Sequence, residues 1–198
     1  MDKIICLGKN YSDHVKEMKE AAPERPLLFL KPPSSLIEVK DDKRKVQLPW
    51  ERGPIHHECE VVFKLYKKNI IGLALGLDLT LRDLQKKLKE QGHPWEISKT
   101  FKNSAIVTPF KSVKDFTDWR SETFMLKVNG VIKQQSTLKQ AILNPDEIIH
   151  HANDYFTLCD NDIIFTGTPS GVGPLAPNDE VELIYGPIHQ KFRLSDHE

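Results

Sequence analysis

Cysteine is scarce in this 198-residue chain, which contains three cysteines and no Cys-x-x-Cys pair. An odd number of widely spaced cysteines argues against the disulfide framework that stabilises many small secreted proteins. The chain begins with a short apolar segment, Ile4 to Leu7, which lacks the length and the cleavage site of a secretory signal. We therefore expect reduced thiols at Cys6, Cys59 and Cys159, and a cytoplasmic location.

Excess charge of either sign is also missing, because 28 Lys and Arg balance 28 Asp and Glu. Recognition of a phosphate backbone needs clustered positive charge. The basic stretch at residues 40–45 is diluted by two aspartates and is interpreted as a solvated loop. With a mean hydropathy of −0.44 and 39% hydrophobic residues, the composition is that of a globular protein. We expect neither a nucleic-acid nor a membrane partner.

Internal repeats and linker-like segments are absent as well, so residues 1–198 are interpreted as one domain. A chain of this length can bury about 70% of the surface that it exposes when unfolded. Neither disulfides nor a structural zinc ion are needed for such a core.

Strand patterns dominate the chain. An Asn129-Gly130 pair between two alternating segments is a strong signal for a type I′ hairpin. The predicted strands are Ile4–Leu7, Leu27–Lys31, Glu60–Tyr66, Ile70–Leu77, Phe124–Val128, Val131–Gln135, Asp162–Thr166, Glu180–Tyr185 and Gln190–Leu194. The fold class is therefore α+β and mostly β, with a few short helices.

Three helices are predicted. A capping box, Thr80 to Asp83, opens a helix that Gly92 closes. Asn144 caps a second helix with Pro145 in its first turn, and that helix carries apolar residues as far as Cys159. The third, Asp13 to Lys19, has His14 and Glu17 three residues apart on one side, and Val15 and Met18 on another.

Glu58-Cys59-Glu60 is the most informative local feature. In an extended chain both glutamates project to one face, where two like charges disfavour ionisation unless a cation is bound. Asp78 ends the next apolar strand and is a candidate third oxygen ligand. Three carboxylates with open positions suit Mg²⁺ or Mn²⁺ better than zinc. An exposed edge strand and a plain strand-end turn are the alternatives.

Arg82 and Gln85 share one face of the helix that starts beside Asp78, where they could hold a substrate carboxylate. Lys99 has no pattern that distinguishes it from other lysines. The segment at residues 166–173 is rich in glycine but lacks the Gly-Lys-Ser/Thr of a phosphate loop. Its backbone amides and a threonine hydroxyl remain suited to an anion or an oxyanion.

The histidine pairs at 56–57 and 150–151 are interpreted as structural or surface residues, because neighbouring histidines point apart in strands and helices. Ser170 lies outside a Gly-x-Ser-x-Gly elbow, so a serine nucleophile is not expected.

Five segments in order resemble the fumarylacetoacetate hydrolase family, in particular its short acylpyruvase and oxaloacetate decarboxylase branch. They cover residues 8–17 (GKNYSDHVKE), 28–32 (LFLKP), 57–60 (HECE), 77–85 (LDLTLRDLQ) and 166–173 (TGTPSGVG), and the likeness extends over about residues 3 to 194. The resemblance implies a mixed, rolled β-sheet and a homodimer. One departure is the connection of 17 residues between Glu60 and Asp78, which is short for the family and affects the expected oligomer packing.

The resemblance also implies site roles. It makes Glu58, Glu60 and Asp78 the ligands of Mg²⁺ or Mn²⁺, with Ca²⁺ as a substitute in crystals. It makes His14 and Glu17 a water-activating pair on a lid. The residues that it assigns to the substrate pocket are Arg82, Gln85, Lys99 and Thr168, with Lys99 counted as catalytic.

The expected activity is hydrolysis of the C–C bond of an acylpyruvate through an enolate that the cation stabilises, with a small keto acid as the only partner besides a second copy of the chain. Oxaloacetate decarboxylation, keto–enol tautomerisation and isomerisation of a hydroxy-dienedioate are alternatives at the same site. A binding protein without turnover and a nucleotide-binding module are alternatives of other classes.

Overall fold

The computed structural model of the chain describes residues 1–17, 26–42 and 44–195, without the side chains of Val15 and Lys16. The helices in these ranges are α1 (Ser12–Glu17), α2 (Arg82–Glu90) and α3 (Pro145–Tyr155). The strands are β1 (Ile4–Gly8), β2 (Leu27–Lys31), β3 (Leu36–Glu38), β4 (Lys45–Gln47), β5 (Ile55–His57), β6 (Cys59–Tyr66), β7 (Asn69–Asp78), β8 (Thr80–Leu81), β9 (Ala105–Val107), β10 (Lys111–Ser112), β11 (Phe124–Val128), β12 (Val131–Ser136), β13 (Ile163–Phe165), β14 (Gly173–Pro174), β15 (Glu180–Tyr185) and β16 (Ile188–Ser195).

The strands form three sheets. The largest runs β2-β1-β13-β6-β7-β9-β3, with β10 paired to β7, and it is mixed because β1 and β13, and also β3 and β9, are parallel. A second sheet runs β12-β11-β15-β16-β4, and a small one runs β14-β5-β8. Most of the buried apolar side chains form a cluster that includes residues of both large sheets, such as Val61 and Leu75 on one and Leu183 and Phe192 on the other. The expected mixed, mostly β fold with few short helices is confirmed.

The predicted strands are confirmed, and their ends differ from the predicted ones by at most two residues. Asn129 and Gly130 have φ angles of 51° and 77°, as a type I′ turn requires. Lys67 and Lys68 make the turn between β6 and β7, so this connection is a tight hairpin. The strands that sequence patterns missed, such as β5 and β8, have two or three residues and are too short for a recognisable alternation.

Two helix predictions are corrected, and part of the third prediction lies outside the described residues. Thr80 does not cap α2, because it is extended in β8 and its hydroxyl lies 3.4 Å from the carbonyl of Asp78. Asn144 caps α3 as predicted, but α3 ends at Tyr155 and Cys159 lies beyond it. Helix α1 ends at Glu17 in the described part, and the predicted Met18 and Lys19 lie outside the described residues.

The predictions of a solvated basic loop and of no membrane partner concern the surface of the molecule. Residues 40–42 and 44 form an exposed loop, whereas Lys45 begins β4; Lys43 lies outside the described residues. Among the described residues, no helix has both the length and the hydropathy needed to span a membrane.

Candidate metal centre and active site

Three carboxylates meet where β5, β6 and β7 come together. Glu58 occupies the single residue between β5 and β6, Glu60 is the second residue of β6, and Asp78 ends β7. The backbone N–H of Asp78 donates to the carbonyl of Glu58 at 2.8 Å, which fixes the two strand ends side by side. One oxygen from each side chain lies within 4.8 Å of the other two.

All three side chains are buried, at 7% exposure for Glu58 and 1% for both Glu60 and Asp78. Strand β6 is an interior strand, with β13 on one side and β7 on the other. The alternative interpretation of Glu58-Cys59-Glu60 as an exposed edge strand is therefore wrong. Buried carboxylates require compensation by positive charge or hydrogen bonds.

Three basic side chains supply part of that compensation. Lys99 Nζ lies 2.6 Å from Glu58 Oε2 and 2.7 Å from Asp78 Oδ2. Lys31 Nζ lies 2.8 Å from Asp78 Oδ1, and the guanidinium of Arg82 donates to Glu58 Oε1. With all six groups ionised, the three acidic and three basic charges leave the cluster close to electrical neutrality.

The two glutamates have opposite pKa shifts. Burial disfavours the charged form of Glu58, yet the positive charges of Lys99 and Arg82 lower its pKa well below the ordinary value. Burial and the negative charges of Asp78 and Glu58 raise the pKa of Glu60 well above its ordinary value. Glu60 receives a hydrogen bond of 2.6 Å from the backbone N–H of Gly167, which is not enough to reverse the shift.

This donor set fits a hard divalent cation. All the converging atoms are carboxylate oxygens, which Mg²⁺ and Mn²⁺ prefer. Asp78 Oδ1 is buried and lies 2.8 Å from Lys31 Nζ, but within the described residues no donor makes a well-aligned hydrogen bond to it. A cation bound to this oxygen and to Glu60 would remove both the unsatisfied acceptor and the like-charge repulsion.

A cavity opens onto the cluster. It is lined by Glu58, Lys99 and Phe29 at the carboxylate end, and by Arg82, Gln85 and Lys89 from α2. His14 contributes to the same lining, as do Trp95 and Lys9. Several cationic groups and one carboxylate make the cavity attractive to a small anion.

His14 and Glu17 form a pair within α1. His14 Nδ1 lies 3.3 Å from Glu17 Oε2, and the backbone N–H of Gly171 donates to Glu17 Oε1 at 3.0 Å. Glu17 is thus held on one side by the glycine-rich loop and faces the imidazole on the other. A carboxylate in this position fixes the tautomer and the orientation of a histidine ring.

Arg82 and Gln85 are also in contact, because Arg82 Nη1 donates to Gln85 Oε1 at 2.8 Å. Gln85 is 6% exposed, and the two side chains lie on one face of α2. Since Arg82 also contacts Glu58, α2 links the carboxylate cluster to the cavity wall.

Comparison with known proteins extends this description. The sequence profile of the family "Fumarylacetoacetate (FAA) hydrolase C-terminal" matches residues 3–190. The chain belongs to the fumarylacetoacetate hydrolase family. The family resemblance that the five segments indicated is therefore confirmed, and the family is one of enzymes.

Similar proteins of this family include two oxaloacetate tautomerases. YcgM of Escherichia coli is 38% identical over 93% of this chain and 89% of its own length. Mitochondrial FAHD1 of Bos taurus is 36% identical over 96% of this chain and 90% of its own. The crystal structure of fumarylpyruvate hydrolase from Pseudomonas aeruginosa, in complex with Mn²⁺ and pyruvate, superposes with a TM-score of 0.92 at 30% identity, covering 98% of this chain and 90% of that one.

Of the four residues assigned to the substrate pocket, Thr168 is the one that does not line the cavity. It is 3% exposed, and its hydroxyl donates to the carbonyl of Cys59 at 3.0 Å while it accepts from Gln134 Nε2 at 2.7 Å. A hydroxyl has one proton, so the donor that a bound anion would need is already used. A direct contact of Thr168 with substrate stays a prediction of the family resemblance.

The histidine pairs have the structural and surface roles expected of them. His57 is buried and its Nδ1 lies 2.9 Å from Gln134 Oε1, while His151 Nε2 lies 2.8 Å from the carbonyl of Pro26. His150 is exposed on α3. Outside the undescribed segments, no histidine joins the carboxylate cluster.

Sequence patterns missed Lys31, which is 1% exposed and also donates to the backbone carbonyls of Lys99 and Ser104. A lysine at the end of an apolar strand resembles an ordinary strand terminus. Only its place inside the motif Leu-Phe-Leu-Lys-Pro could have identified it.

Proposed function

We propose that this chain is a divalent-metal-dependent enzyme for 2-keto acids with an acidic C3–H, and that keto–enol tautomerisation of oxaloacetate is its best-supported reaction. The observation that carries the proposal is the buried trio Glu58, Glu60 and Asp78, which adjoins a cation-lined cavity containing His14. The relatives named as oxaloacetate tautomerases support the choice of reaction.

The cation would be held by Glu58, Glu60 and Asp78. Bound Mg²⁺ or Mn²⁺ supplies a Lewis acid that stabilises negative charge on the oxygens of a keto acid. The three acidic and three basic side chains of the cluster nearly cancel, so a divalent ion would leave two uncompensated positive charges. The enolate of oxaloacetate would present two of its three negative charges to the cation, at the C1 carboxylate and the enolate oxygen, which matches that excess. Its second carboxylate is left for the donors of the cavity wall.

Lys99 stays protonated in this scheme. Burial opposes its charge, but Asp78 and Glu58 raise the pKa of Lys99 above its ordinary value. An ammonium has three N–H donors, and two of them are used by the carboxylates at 2.6 and 2.7 Å. The third is available to donate to a substrate oxygen on which negative charge develops.

Arg82 and Gln85 would orient the substrate. A guanidinium has five N–H donors, and Arg82 uses one towards Glu58 and one towards Gln85. The remaining donors can hold a carboxylate of the keto acid at the cavity wall.

His14 would move the proton. Its Nδ1 faces Glu17, which leaves Nε2 for the substrate. In tautomerisation, Nε2 accepts the proton of the breaking C3–H bond, and the electron pair forms the C2–C3 double bond. The imidazolium then gives this proton to the keto oxygen at C2, so the enol has the same atoms as the ketone and His14 is neutral again.

Hydrolysis of an acylpyruvate is the second candidate, and the contact between His14 and Glu17 favours it. In that reaction Nε2 accepts a proton from water while the oxygen of the water attacks C4. The C3–C4 bond then breaks and leaves its electron pair on C3. C3 takes the proton from His14, so the products are pyruvate and a carboxylic acid. The Pseudomonas neighbour, named as a fumarylpyruvate hydrolase, supports this alternative.

The test uses purified protein with Mn²⁺, with Mg²⁺ and with EDTA. Enol formation from oxaloacetate is followed by ultraviolet absorbance, and pyruvate release from oxaloacetate and from acetylpyruvate by a coupled dehydrogenase. We expect metal-dependent acceleration of enolisation that EDTA abolishes. The Lys86→Met variant should keep the wild-type activity, because Lys86 is an exposed lysine of α2.

Pyruvate release from acetylpyruvate alone would favour the hydrolase, and release from oxaloacetate would indicate decarboxylation. Folded, metal-loaded protein that accelerates none of the three reactions would overturn the proposal. Mn²⁺ binding without turnover of any of these substrates would indicate a binding protein.

A further inference from the structure

Gln134 is a buried glutamine on β12, in the sheet that does not carry the carboxylates. Its side-chain oxygen Oε1 lies 2.9 Å from both His57 Nδ1 and the backbone nitrogen of Cys59. Its amide Nε2 donates to Thr168 Oγ1 at 2.7 Å and to the carbonyl of Pro169 at 2.9 Å. The side chain is 1% exposed and makes the four hydrogen bonds that an amide can make.

These four hydrogen bonds join the two backbone segments that position Glu58 and Glu60. His57 and Cys59 flank Glu58 in the chain, so the amide oxygen of Gln134 binds the backbone immediately around that residue. Thr168 and Pro169 follow Gly167, whose N–H donates to Glu60 at 2.6 Å. The hydroxyl of Thr168 closes the network by donating to the carbonyl of Cys59.

The loop also lies unusually close to β12. Gly171 has a φ angle of +97°, and a Cβ built on it would lie 2.2 Å from the carbonyl oxygen of Lys133. The same Gly171 donates its N–H to Glu17. Residues 133 and 134 therefore contact the loop at two points: the Gln134 side chain at Thr168 and Pro169, and the Lys133 backbone at Gly171.

We propose that Gln134 is a positioning residue that sets the separation of Glu58 and Glu60. The inference rests on the proposed function, since it concerns the cation that those glutamates would bind. Gln134 lies behind Thr168 and outside the cavity lining, so it acts through other groups and not on the substrate. Groups that orient metal ligands in this way typically change metal affinity or activity by about 10- to 100-fold when they are removed.

The chemistry of the position requires glutamine. His57 and the N–H of Cys59 need an acceptor, whereas Thr168 and Pro169 need two donors. Glutamate lacks the donors, and methionine has nearly the same length with neither function. Methionine therefore removes the whole network, whereas glutamate removes only its donor half.

The experiment compares Gln134→Met with Gln190→Met. Gln190 is a buried glutamine of β16 whose amide donates to Asp42 at 2.6 Å, so its replacement controls for the loss of a buried amide in the same sheet. Mn²⁺ affinity is measured by calorimetry and electron paramagnetic resonance, and kcat and KM are measured with oxaloacetate. We expect Q134M to weaken Mn²⁺ binding about 10- to 100-fold and to lower kcat with little change in KM. Q190M should keep the wild-type Mn²⁺ affinity.

Equal Mn²⁺ affinity in wild type and Q134M would overturn the inference. If Q134M does not fold, Gln134→Glu decides, because it keeps the acceptor for His57 and Cys59 and loses both donors to the loop. Weaker Mn²⁺ binding by folded Q134E supports the inference, and unchanged binding overturns it. Wild-type protein that binds no Mn²⁺ would instead refute the proposed function, so the two failures are distinguishable.

Discussion

Lys99 combines burial with charge in a way that makes it the most consequential single residue of the site. It is 3% exposed, and its ammonium lies between Glu58 and Asp78. A buried charge is tolerated when it is paired and hydrogen-bonded, and removal of one partner leaves the other uncompensated. The same group is therefore needed for stability and for chemistry.

Lys99→Met keeps much of the side-chain length and removes the ammonium. We expect the metal-free protein to lose about 3–5 kcal/mol of unfolding free energy, the usual cost of breaking a buried ion pair. We expect kcat to fall about 10²- to 10³-fold, as when an oxyanion donor is removed. Urea denaturation and steady-state kinetics measure the two effects. Lys86→Met is the matched control, and wild-type stability and kcat in the Lys99 variant would contradict the assignment.

His14 has a different role, because it lines the cavity but does not belong to the carboxylate trio. His14→Ala should lower kcat by about 10²- to 10⁴-fold, the usual contribution of a general acid–base group. The dissociation constant for Mn²⁺, measured by calorimetry, should not change.

An exposed histidine of α3 provides the comparison for this change. His150→Ala should leave both kcat and the Mn²⁺ dissociation constant at wild-type values, since His150 lies outside the site. Loss of Mn²⁺ binding in His14→Ala would mean that His14 is a ligand and that its assignment as the proton-transfer group is wrong.

Among the elements, the loop between β13 and β14, residues 166–172, connects the most parts of the site. Gly167 contacts Glu60, Thr168 contacts Cys59 and Gln134, and Gly171 contacts Glu17. The loop can do this because glycine permits positive φ angles and close backbone approach. Replacement of its glycines should therefore affect stability and catalysis together.

Gly171→Ala tests whether the loop needs glycine for its close approach to β12, and Gly130→Ala is the control. Both glycines have positive φ angles, of 97° and 77°. A Cβ on Gly130 meets nothing within 4 Å, whereas one on Gly171 would lie 2.2 Å from the Lys133 carbonyl. Gly130→Ala should cost about 1–2 kcal/mol for backbone strain alone. Gly171→Ala should cost a further ~1–3 kcal/mol from overpacking.

The kinetic effects should separate the same pair of variants. Gly171→Ala moves the amide that holds Glu17 and should lower kcat, whereas Gly130→Ala should leave kcat unchanged. Chemical denaturation measures the stability difference. Equal losses of stability in the two variants would show that the loop can move away from β12 at no cost.

For the whole molecule, Asp162 fastens the beginning of the chain to the large sheet. Its Oδ1 accepts from the backbone N–H groups of Asp2 and Lys3, and its Oδ2 accepts from Lys3 Nζ and from the N–H of Cys159. Burial disfavours its charge, but these hydrogen bonds and Lys3 lower the pKa of Asp162 below its ordinary value. An acid with a lowered pKa stabilises the fold above its unfolded-state pKa, and this contribution is lost as the pH falls through the folded-state value.

Asp162→Asn should therefore lower the unfolding free energy at pH 7 by about 1.5–3 kcal/mol, the range for hydrogen bonds to a charged group. The difference from wild type should shrink as the pH falls below about 4, near the unfolded-state pKa of aspartate. Thermal unfolding at several pH values from about 3 to about 7, a range that brackets the unfolded-state pKa of aspartate, measures this difference in stability. Asp160→Asn is the control, because Asp160 is exposed and accepts one hydrogen bond, from the N–H of Lys67. A difference that does not depend on pH would contradict the role of the carboxylate.

Assembly and cellular location are also properties of the whole molecule. The homodimer and the cytoplasmic location both stay predictions, and the relative from Bos taurus is named as mitochondrial. The molecule has no net charge, yet its cavity is lined by several cationic side chains. Substrate attraction therefore depends on the local field and not on the charge of the whole protein.

Much of this protein was determined by local sequence. Alternating apolar residues predicted the long strands, Asn129-Gly130 predicted a hairpin, and Asn144-Pro145 predicted the start of α3, because each depends on the conformational preferences of a few neighbouring residues. The spacing Glu58-x-Glu60 with Asp78 at a strand end made these acids candidate ligands, and the family resemblance identified them as one set. Thr80 failed as a cap because pairing between β5 and β8 holds it extended.

Only the tertiary structure decided which positive groups face those carboxylates and what supports them. Lys31, Lys99 and Gln134 come from separate parts of the chain, and no local pattern distinguishes them from residues of the same type elsewhere. Their importance follows from burial, since a charge or an amide removed from water must find its partners within the fold. Those partners are set by the packing of two sheets, which depends on contacts between residues that are distant in sequence.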